Sequence, residues 1–368
     1  MPLNTIPEAI AAIANGELIV VVDDNDRENE GDLVMAASKA MPEQIAFMVR
    51  HTSGILCAPM LTERADKLNL APMVANNLDP LRTAFTVTVD YRIGMTTGIS
   101  AEERTNTLRA LANDNCVAND FLRPGHVFPL ISRPGGVLSR SGHTEAATDL
   151  AQLAGLNGVG VLAEIVNDNG SVKRLPELVE FAAEHTLKII SIEDLIEYRV
   201  RTESFVNRVA TYPTQAQLAN SVTHIYETPF DPMQHMVIVI GDIRTGRNIP
   251  CRIHHEQPID DLLGQLTDTW VNSALRKLEE HQHGVLIYLR DAKITSYNKN
   301  VDSSNTNNDE SHDSAQRRMK RWRDIGLGAQ ILRDLGISSI TLIATNQRYY
   351  VGLSGFGIDI SNTEIIDP

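Results

Sequence analysis

Cysteine and basic residues are both scarce in this chain of 368 residues, and each shortage excludes a class of protein. The three cysteines, Cys57, Cys116 and Cys251, show no C-x-x-C spacing and are too few for a disulfide framework. Lys and Arg number 33 against 47 Asp and Glu, which gives a formal net charge of −14. A general nucleic-acid binder needs clustered basic side chains, so we expect no nucleic-acid partner.

Long apolar runs are also missing. No stretch approaches the ~20 consecutive apolar residues of a membrane span. The first residues, "MPLNTIPEAIAAIANGE", have neither the basic start nor the long apolar run of a signal peptide. They predict an amphipathic helix with Ile6, Ile10 and Ile13 on one face. We therefore expect a cytoplasmic protein with no membrane partner.

Short β-rich runs alternate with helical patterns from residue 18 to about 200. Runs such as "ELIVVV", "TAFTVTVD", "GVLAEIV" and "LKIISI" predict strands. Helices are predicted at 42–50, 100–112, 143–154 and 176–185. Ser100 and Glu103 have the spacing of a capping box. The alternation predicts an α/β (α+β) domain over residues 1–204, with helices packed on a largely buried sheet.

A second domain is predicted over residues 205–368, after a transition near 198–215. Its strands are "HMVIVIGDI", "GVLIYLRD" and "SITLIATN", with helices near 260–280 and 324–335. Between them, residues 295–314 offer only Tyr297 and Val301 as sizeable apolar side chains. Such a segment cannot bury enough surface to offset its ordering entropy, so we predict a polar flexible insert at 295–320.

The stretch "DDNDRENEGD", residues 23–32, follows directly on the apolar run "ELIVVV". Six of its ten residues are acids, and Arg27 is its one base. An acid-rich turn is often simply a solvated surface. Here apolar sequence precedes and follows the acids, which places them where a buried sheet opens onto a crevice. Carboxylates in such a place need a cation or a hydrogen-bonded polyol, and hard oxygen ligands favour Mg²⁺ or Mn²⁺ over zinc.

Two further features carry candidate chemistry. "SRSGHTEAATDLAQLAGL" places Arg140, Gly142 and Thr144 at the start of a predicted helix, which suits a phosphorylated substrate. His143 adds an imidazole there for a metal or a proton, although a structural histidine is equally compatible with the sequence. Glu164 interrupts an apolar strand, so it is either paired or catalytic, or it lies at an edge facing water.

These segments together resemble 3,4-dihydroxy-2-butanone 4-phosphate synthase. The matching stretches include "VVDDNDRENEGDLVMAA", "RHTSGILCAPM", "FTVTVDYRIGMTTGISAEERTNTLRAL", "RPGHVFPL", "GGVLSRSGHTEAATDLAQLAGL" and "GVLAEIVNDNG". The resemblance implies a three-layer fold with a mixed sheet and a homodimer with sites near the subunit interface. It implies a lyase of riboflavin biosynthesis that converts D-ribulose 5-phosphate to L-3,4-dihydroxy-2-butanone 4-phosphate and formate, with Mg²⁺, through a metal-stabilised enediolate.

The resemblance also implies roles for particular residues. Glu28 and His143 correspond to metal ligands, and His126 and Glu164 to residues needed for catalysis. The expected substrate contacts are Arg27, Glu28, Asp32 and Glu164, with Arg140, Ser141, Gly142, His143 and Thr144 around the phosphate. Cys57 is interpreted as core or site wall, because this chemistry requires no thiol.

Residues from about 205 resemble GTP cyclohydrolase II, most clearly in "DIGLGAQILRDLGISSITLIATNQ". That family holds a catalytic zinc with three cysteines. Gln257 stands where the first ligand would fall, and no cysteine follows Cys251, so we expect no zinc. Three interpretations stay open: a structural or dimerisation module, a regulatory module that binds a nucleotide or flavin, or residual cyclohydrolase activity. Residual activity would need a different metal site, for which the candidate ligands are His254, His255, Glu256, His281 and His283.

Two alternatives remain for the whole chain. One is a metal-binding or regulatory protein that kept the synthase fold without its activity. The other is a metal-dependent sugar-phosphate isomerase or aldolase, which would share enediolate chemistry but release no formate.

Overall fold

A computed structural model describes residues 3–23, 28–213, 220–229, 231–257, 261, 270–290, 324–344, 353 and 356–366. Arg27 and the insert predicted at 295–320 lie outside the described residues. The chain divides into two compact units, the first formed by Met1–Arg199 and the second beginning at Val200. Within the described part, no helix is both long enough and apolar enough to cross a bilayer.

The first unit contains a seven-stranded mixed sheet. Its strands are β1 (Ile19–Val22), β2 (Gly31–Ala36), β3 (Cys57–Met60), β4 (Val89–Tyr91), β5 (Phe121–Ile131), β6 (Gly160–Glu164) and β7 (Lys188–Ser191). Their order is β4-β5-β3-β6-β2-β1-β7. Strand β1 runs parallel to β7 and β3 parallel to β5, whereas β2 is antiparallel to both β1 and β6.

Helices cover both faces of this sheet. They are α1 (Ile6–Asn15), α2 (Pro42–His51), α3 (Thr62–Lys67), α4 (Ala101–Leu111), α5 (His143–Leu153), α6 (Leu175–Glu184) and α7 (Ile192–Thr202). On β6, Val161 and Ala163 belong to the core that α2, α4 and α6 help to form. The alternate position Gly160 faces α5 so closely that a Cβ there would lie 2.8 Å from Ala147 Cβ. The helices therefore form one layer on each side of the sheet, as predicted.

Local sequence signals explain most of these elements. Helix α1 begins with a capping box between Thr5 and Glu8, and it buries Ile6 and Ile13 as expected. The predicted capping box of Ser100 and Glu103 is present at the start of α4. The strand expected over "TAFTVTVD" forms only from Val89, with an isolated bridge from Phe85 to Leu130. Pro129 of β5 has no N–H to donate, which limits the ladder at that point.

The second unit contains its own seven-stranded sheet, in the order β14-β13-β11-β12-β10-β9-β8. The strands are β8 (Asn207–Pro213), β9 (Ser221–Thr228), β10 (Asp231–Ile240), β11 (Ile249–His255), β12 (Gly284–Leu289), β13 (Ser339–Ala344) and β14 (Asp359–Ile365). Its described helices include α8 (Trp270–Glu280) and α9 (324–334). Strand β11 lies between β12 and β13 and runs parallel to both.

Candidate active site

The acidic stretch connects β1 to β2, and its first acid, Asp23, accepts hydrogen bonds from backbone groups later in the same stretch. Asp23 Oδ2 accepts a hydrogen bond from the N–H of Glu28 at 3.0 Å, and its Oδ1 accepts one from the N–H of Glu30 at 2.8 Å. Asn29 between them adopts a left-handed conformation with φ 54°, which asparagine tolerates better than most residues. The backbone turns sharply at this point and brings the Glu28 side chain back toward the sheet.

His143, the first residue of α5, meets this turn. Its Nδ1 lies 3.7 Å from Glu28 Oε2 and 4.0 Å from Asp32 Oδ2, and its Nε2 lies 3.2 Å from the carbonyl oxygen of Val21. One ligand atom from each of Asp23, Glu28 and His143 falls within 4.8 Å of the other two. Two carboxylates and one imidazole at this spacing can hold a divalent cation.

Asp32 and Glu164 lie beside this cluster as direct partners across β2 and β6. Asp32 is buried, and its Oδ1 has no hydrogen-bond partner among the described residues. Burial raises the pKa of Asp32 to about 7; the charge of His143 opposes this rise, and the charge of Glu164 adds to it. Glu164 is half-buried and accepts a hydrogen bond from Ser53 Oγ at 2.8 Å. An unpartnered buried carboxylate oxygen here fits a site that is completed by a cation or a polar substrate.

The start of α5 also offers the predicted anion site. Gly142 is the N-cap residue and supplies no side chain, so the first N–H groups of the helix have no side-chain cap. Arg140 lies next to this end, with Nη1 donating to Glu145 Oε2 at 2.7 Å and Nε donating to the carbonyl of Leu81 at 3.2 Å. A Cβ on Gly142 would lie 2.2 Å from Arg140 Nη1, so a side chain there would have to displace the guanidinium of this ion pair.

His126 lies on β5, and its described contacts are with Asp90 of β4. Its backbone N–H donates to Asp90 Oδ1 at 2.9 Å, and its Nδ1 lies 2.7 Å from Asp90 Oδ2. The carboxylate thereby fixes the ring orientation and favours a proton on Nδ1, which leaves Nε2 for a reacting group. The side chain of His126 is 40% exposed, so that nitrogen is open to approach.

Cys57 is buried on β3, and burial raises the pKa of its thiol, with Glu164 adding to the rise. A thiol that keeps its proton is a poor nucleophile, which agrees with its interpretation as part of the core.

The structure therefore brings together Glu28, Asp32, His143 and Glu164, whose roles were predicted from the sequence. Ser141, Gly142 and Thr144 lie with Arg140 at the start of α5, as expected. Asp23 was not named among the predicted ligands. The available signal was the acid-rich stretch that follows an apolar strand. Six acids belong to that stretch, and only the folded turn distinguishes Asp23 from the others.

In the second unit, the ligand-type side chains bind different partners. His254 Nε2 lies 2.9 Å from Asp261 Oδ1, His255 Nδ1 3.5 Å from Asp324 Oδ2, and His281 Nε2 3.0 Å from Glu364 Oε2. Glu256 pairs with Arg290, and His283 Nδ1 lies 2.8 Å from the carbonyl of His281. Cys251 is fully buried in β11. Within the described ranges, no group of three metal-ligand side chains forms in this unit.

The fold and this cluster define a two-unit protein whose first unit is a mixed-sheet α/β domain with a carboxylate–imidazole site. A family profile for 3,4-dihydroxy-2-butanone 4-phosphate synthase matches residues 7–198, and one for GTP cyclohydrolase II matches residues 207–365. The chain belongs to the 3,4-dihydroxy-2-butanone 4-phosphate synthase family, with the synthase domain joined to a GTP cyclohydrolase II domain. Both resemblances read from the sequence are confirmed.

Full-length relatives share both domains. "Monofunctional riboflavin biosynthesis protein RIBA 2, chloroplastic" of Arabidopsis thaliana is 45% identical over 97% of this chain and 76% of its own length. "Riboflavin biosynthesis protein RibBA" of Bacillus subtilis is 41% identical over 97% of this chain and 92% of its own. The crystal structure of RibBX, a two-domain 3,4-dihydroxy-2-butanone 4-phosphate synthase from A. baumannii, superposes with TM-score 0.78 at 34% identity. This match covers 99% of the present chain and 100% of the RibBX chain.

Proposed function

We propose that the first unit converts D-ribulose 5-phosphate to L-3,4-dihydroxy-2-butanone 4-phosphate and formate in riboflavin biosynthesis. The observation that carries this proposal is the convergence of Asp23, Glu28 and His143 beside the cross-strand pair Asp32 and Glu164. Membership of the synthase family supports the same reaction, and the full-length relatives are named for riboflavin biosynthesis.

The donor set fits Mg²⁺ or Mn²⁺, because carboxylate oxygens dominate it and cysteine is absent from it. A solved synthase that is 45% identical over 54% of this chain is described in complex with two magnesium ions. Glu28 and His143 would hold the cation here, and Asp23 is a third candidate ligand. When bound, the cation would draw electron density from the 2-oxo and 3-hydroxyl oxygens of the ketose and acidify the C3–H bond.

The proton transfers are assigned to the side chains around that position. Asp32, with a pKa of about 7, exchanges a proton readily near neutral pH, as a general acid or base should. Glu164 is held toward Asp32 by the hydroxyl of Ser53, and it stays within reach of water because it is only half-buried. His126, oriented by Asp90, offers its Nε2 as a further proton acceptor.

The phosphate of the substrate is assigned to the start of α5. The lack of a side-chain cap at Gly142, the positive end of the helix dipole and the guanidinium of Arg140 all favour an anion there.

For the second unit we propose a structural or regulatory role. Cys251 is sealed inside β11, Gln257 occupies the first expected ligand position, and the histidines contact separate partners. A thiolate-bound zinc cannot form without thiolates. The second candidate is residual GTP cyclohydrolase II activity. It is favoured by the family match over residues 207–365 and by a relative named bifunctional riboflavin biosynthesis protein RIBA 1 of Arabidopsis thaliana, 43% identical.

We also propose that the protein is a homodimer in the cytoplasm. Several large apolar side chains of the first unit are strongly exposed, and an interface between copies would cover them: Val74, Leu78, Ile93 and Ile99. Light scattering on the purified protein should give a mass near twice 40.6 kDa.

The deciding experiment incubates the full-length protein with ribulose 5-phosphate and Mg²⁺ and measures formate. Stoichiometric formate with the butanone phosphate supports the synthase. Substrate consumption without formate would instead indicate an isomerase or aldolase, and no consumption would indicate a non-catalytic protein. A parallel incubation with GTP tests the second unit.

A further inference from the structure

Arg174 binds two carbonyl groups of the acidic turn, whereas Asp23 binds its N–H groups. Its Nη1 donates to the carbonyl oxygen of Glu28 at 2.6 Å and to that of Asn29 at 2.7 Å. The backbone of Arg174 is itself fixed, because it is the N-cap residue of α6 and its N–H donates to Glu177 Oε2 at 3.0 Å. A guanidinium on a fixed backbone can hold two carbonyls in one geometry, since its donors form a rigid fork.

Helix α6 packs directly on the same turn through Leu178, one helical turn after Arg174. Residues four apart lie on one face of a helix. A Cβ on Gly31 would lie 2.6 Å from Leu178 Cδ1, so the backbone at Gly31 touches the helix without room for a side chain. Arg174 and Leu178 therefore fix the turn at two points, one by hydrogen bonds and one by packing.

The turn is thus held by its N–H groups on one side and by its carbonyl groups on the other. Asp23 accepts from the N–H groups of Glu28 and Glu30, while Arg174 donates to the carbonyls of Glu28 and Asn29. Holding both the N–H and the carbonyl of Glu28 fixes its backbone, and this orients the Cα–Cβ bond from which the side chain extends to within 3.7 Å of His143 Nδ1.

We propose that Arg174 is a positioning residue for the metal ligand Glu28, and that it sets cation affinity without contacting the cation. This inference rests on the proposed function, because it assumes that Glu28 and His143 bind a divalent cation. Residues that orient metal ligands typically change metal affinity by about 10- to 100-fold when they are replaced. Arg174 is exposed to solvent, so we expect an effect near the lower end of that range.

The test measures Mn²⁺ binding to the metal-free full-length protein by electron paramagnetic resonance, independently of activity. Arg174→Gln should raise the dissociation constant by about 10-fold, and Arg174→Lys should recover part of the loss. Lys173→Gln is the matched control: it removes a cation one residue away, whose Nζ binds Asn167 Oδ1 at 2.6 Å. It should bind Mn²⁺ as the wild type does. In turnover, Arg174→Gln should raise the half-saturating metal concentration more than it lowers kcat.

Glu28→Gln separates this inference from the function on which it rests. If Glu28→Gln loses Mn²⁺ binding but Arg174→Gln does not, the positioning role is wrong and the metal site stands. If Glu28→Gln also binds normally, the metal site itself is wrong. Equal weakening by Lys173→Gln and Arg174→Gln would also overturn the positioning role, because any nearby positive charge would then suffice.

Discussion

Arg140 shows how one residue can serve both substrate binding and stability. From the sequence it is a phosphate ligand, and in the structure it is also the partner of Glu145, with side-chain exposures of 13% and 2%. Removing one member of a buried ion pair leaves the other charged and unpaired, which costs about 3 kcal/mol or more. Any loss of activity on replacing Arg140 therefore combines two effects, and they must be measured separately.

We predict that Arg140→Ala weakens binding of ribulose 5-phosphate and also lowers the free energy of unfolding by about 3 kcal/mol. Urea unfolding measures the second effect. Comparing ribulose 5-phosphate with unphosphorylated ribulose isolates the first, because only the phosphorylated sugar should lose a contact. Glu145→Gln is the control, since it removes the ion pair and keeps the guanidinium. An equal loss for both sugars would mean that Arg140 does not contact the phosphate.

At the scale of single elements, helix α4 ends without the usual glycine, and Arg64 of α3 takes over the capping role. Its guanidinium donates to the carbonyls of Leu111 at 2.7 Å, Asn113 at 2.7 Å and Ala110 at 3.2 Å. Arg64 is buried, so these carbonyls have little access to water. One side chain therefore satisfies several of the carbonyl groups that a helix end leaves without intrahelical partners.

Arg64→Met should lower the free energy of unfolding by about 3 kcal/mol, because buried carbonyls lose charge-assisted hydrogen bonds and keep only part of their solvation. Arg109→Met, on the exposed face of α4, is the control and should cost well under about 1 kcal/mol. Urea unfolding of the three proteins gives the comparison. A cost below about 1 kcal/mol for Arg64→Met would show that water replaces the guanidinium at this helix end.

The ends of α2 and α6 bring His51 and His185 together between two phenylalanines. The two imidazole centroids lie 5.0 Å apart; the ring centroid of Phe47 lies 4.4 Å from that of His51, and that of Phe181 lies 4.5 Å from that of His185. Burial lowers the pKa of His51 below its usual value near 6.5, and the charges of His185 and Arg50 lower it further. The folded protein therefore binds fewer protons than the unfolded chain between the lowered pKa and about 6.5.

It follows that this cluster stabilises the fold fully above about pH 6.5 and loses that contribution as the pH falls toward the lowered pKa. We predict that His51→Gln costs more stability at pH 8 than at pH 5.5, when unfolding free energies are measured in urea at both values. His283→Gln, elsewhere in the chain, controls for the loss of one histidine. A penalty for His51→Gln that stays constant or grows toward low pH would contradict the assignment.

The elements that sequence predicted well are those with a strong local signal. Ile6 and Ile13 of α1 and the Ser100–Glu103 capping box depend on residues within a few positions of one another. Glu103 also accepts from the N–H groups of Thr96 and Gly98, and these bonds lower its pKa to about 2. No periodicity signals that contact. Strand β8 was missed because nearly all its residues are exposed, so it lacks the apolar alternation by which strands are recognised.

The candidate site was likewise predicted where the sequence carries a local signal and missed where it carries none. His143 and Glu164 stood out because they interrupted glycine-rich and apolar sequence, whereas Glu28 and Asp32 were distinguished from the other acids only by the family resemblance. Three other features of the site depend on which strands and loops meet: the position of Asp23, the pairing of Asp90 with His126 and the pairing of Glu145 with Arg140. Asp90 and His126 lie 36 positions apart, and a single sequence does not reveal such a pair. Asp23 contacts Glu28 and Arg140 contacts Glu145 over only five positions, but both contacts depend on the conformation of a folded loop.

At the scale of the whole molecule, the second unit keeps its fold while the expected zinc ligands are absent. Its core is apolar and independent of any metal, with Ile240, Leu278, Leu286 and Ile343 buried together. His254, Asp261 and Tyr288 form a hydrogen-bonded group at the end of β11, with Tyr288 Oη donating to Asp261 Oδ2 at 2.7 Å. These hydrogen bonds stabilise the end of the strand.

We therefore predict that the purified full-length protein binds no stoichiometric zinc and releases neither formate nor pyrophosphate from GTP. Activated water on zinc needs about three protein ligands and one open position, and the family's thiols are missing from the chain after Cys251. The histidines that could substitute contact Asp261, Asp324 and Glu364 at separate places. Elemental analysis and a GTP assay check both statements on the same preparation that is tested for formate from ribulose 5-phosphate. One tightly held zinc per chain together with GTP turnover would establish the second candidate function, and the synthase activity of the first unit would be unaffected by that result.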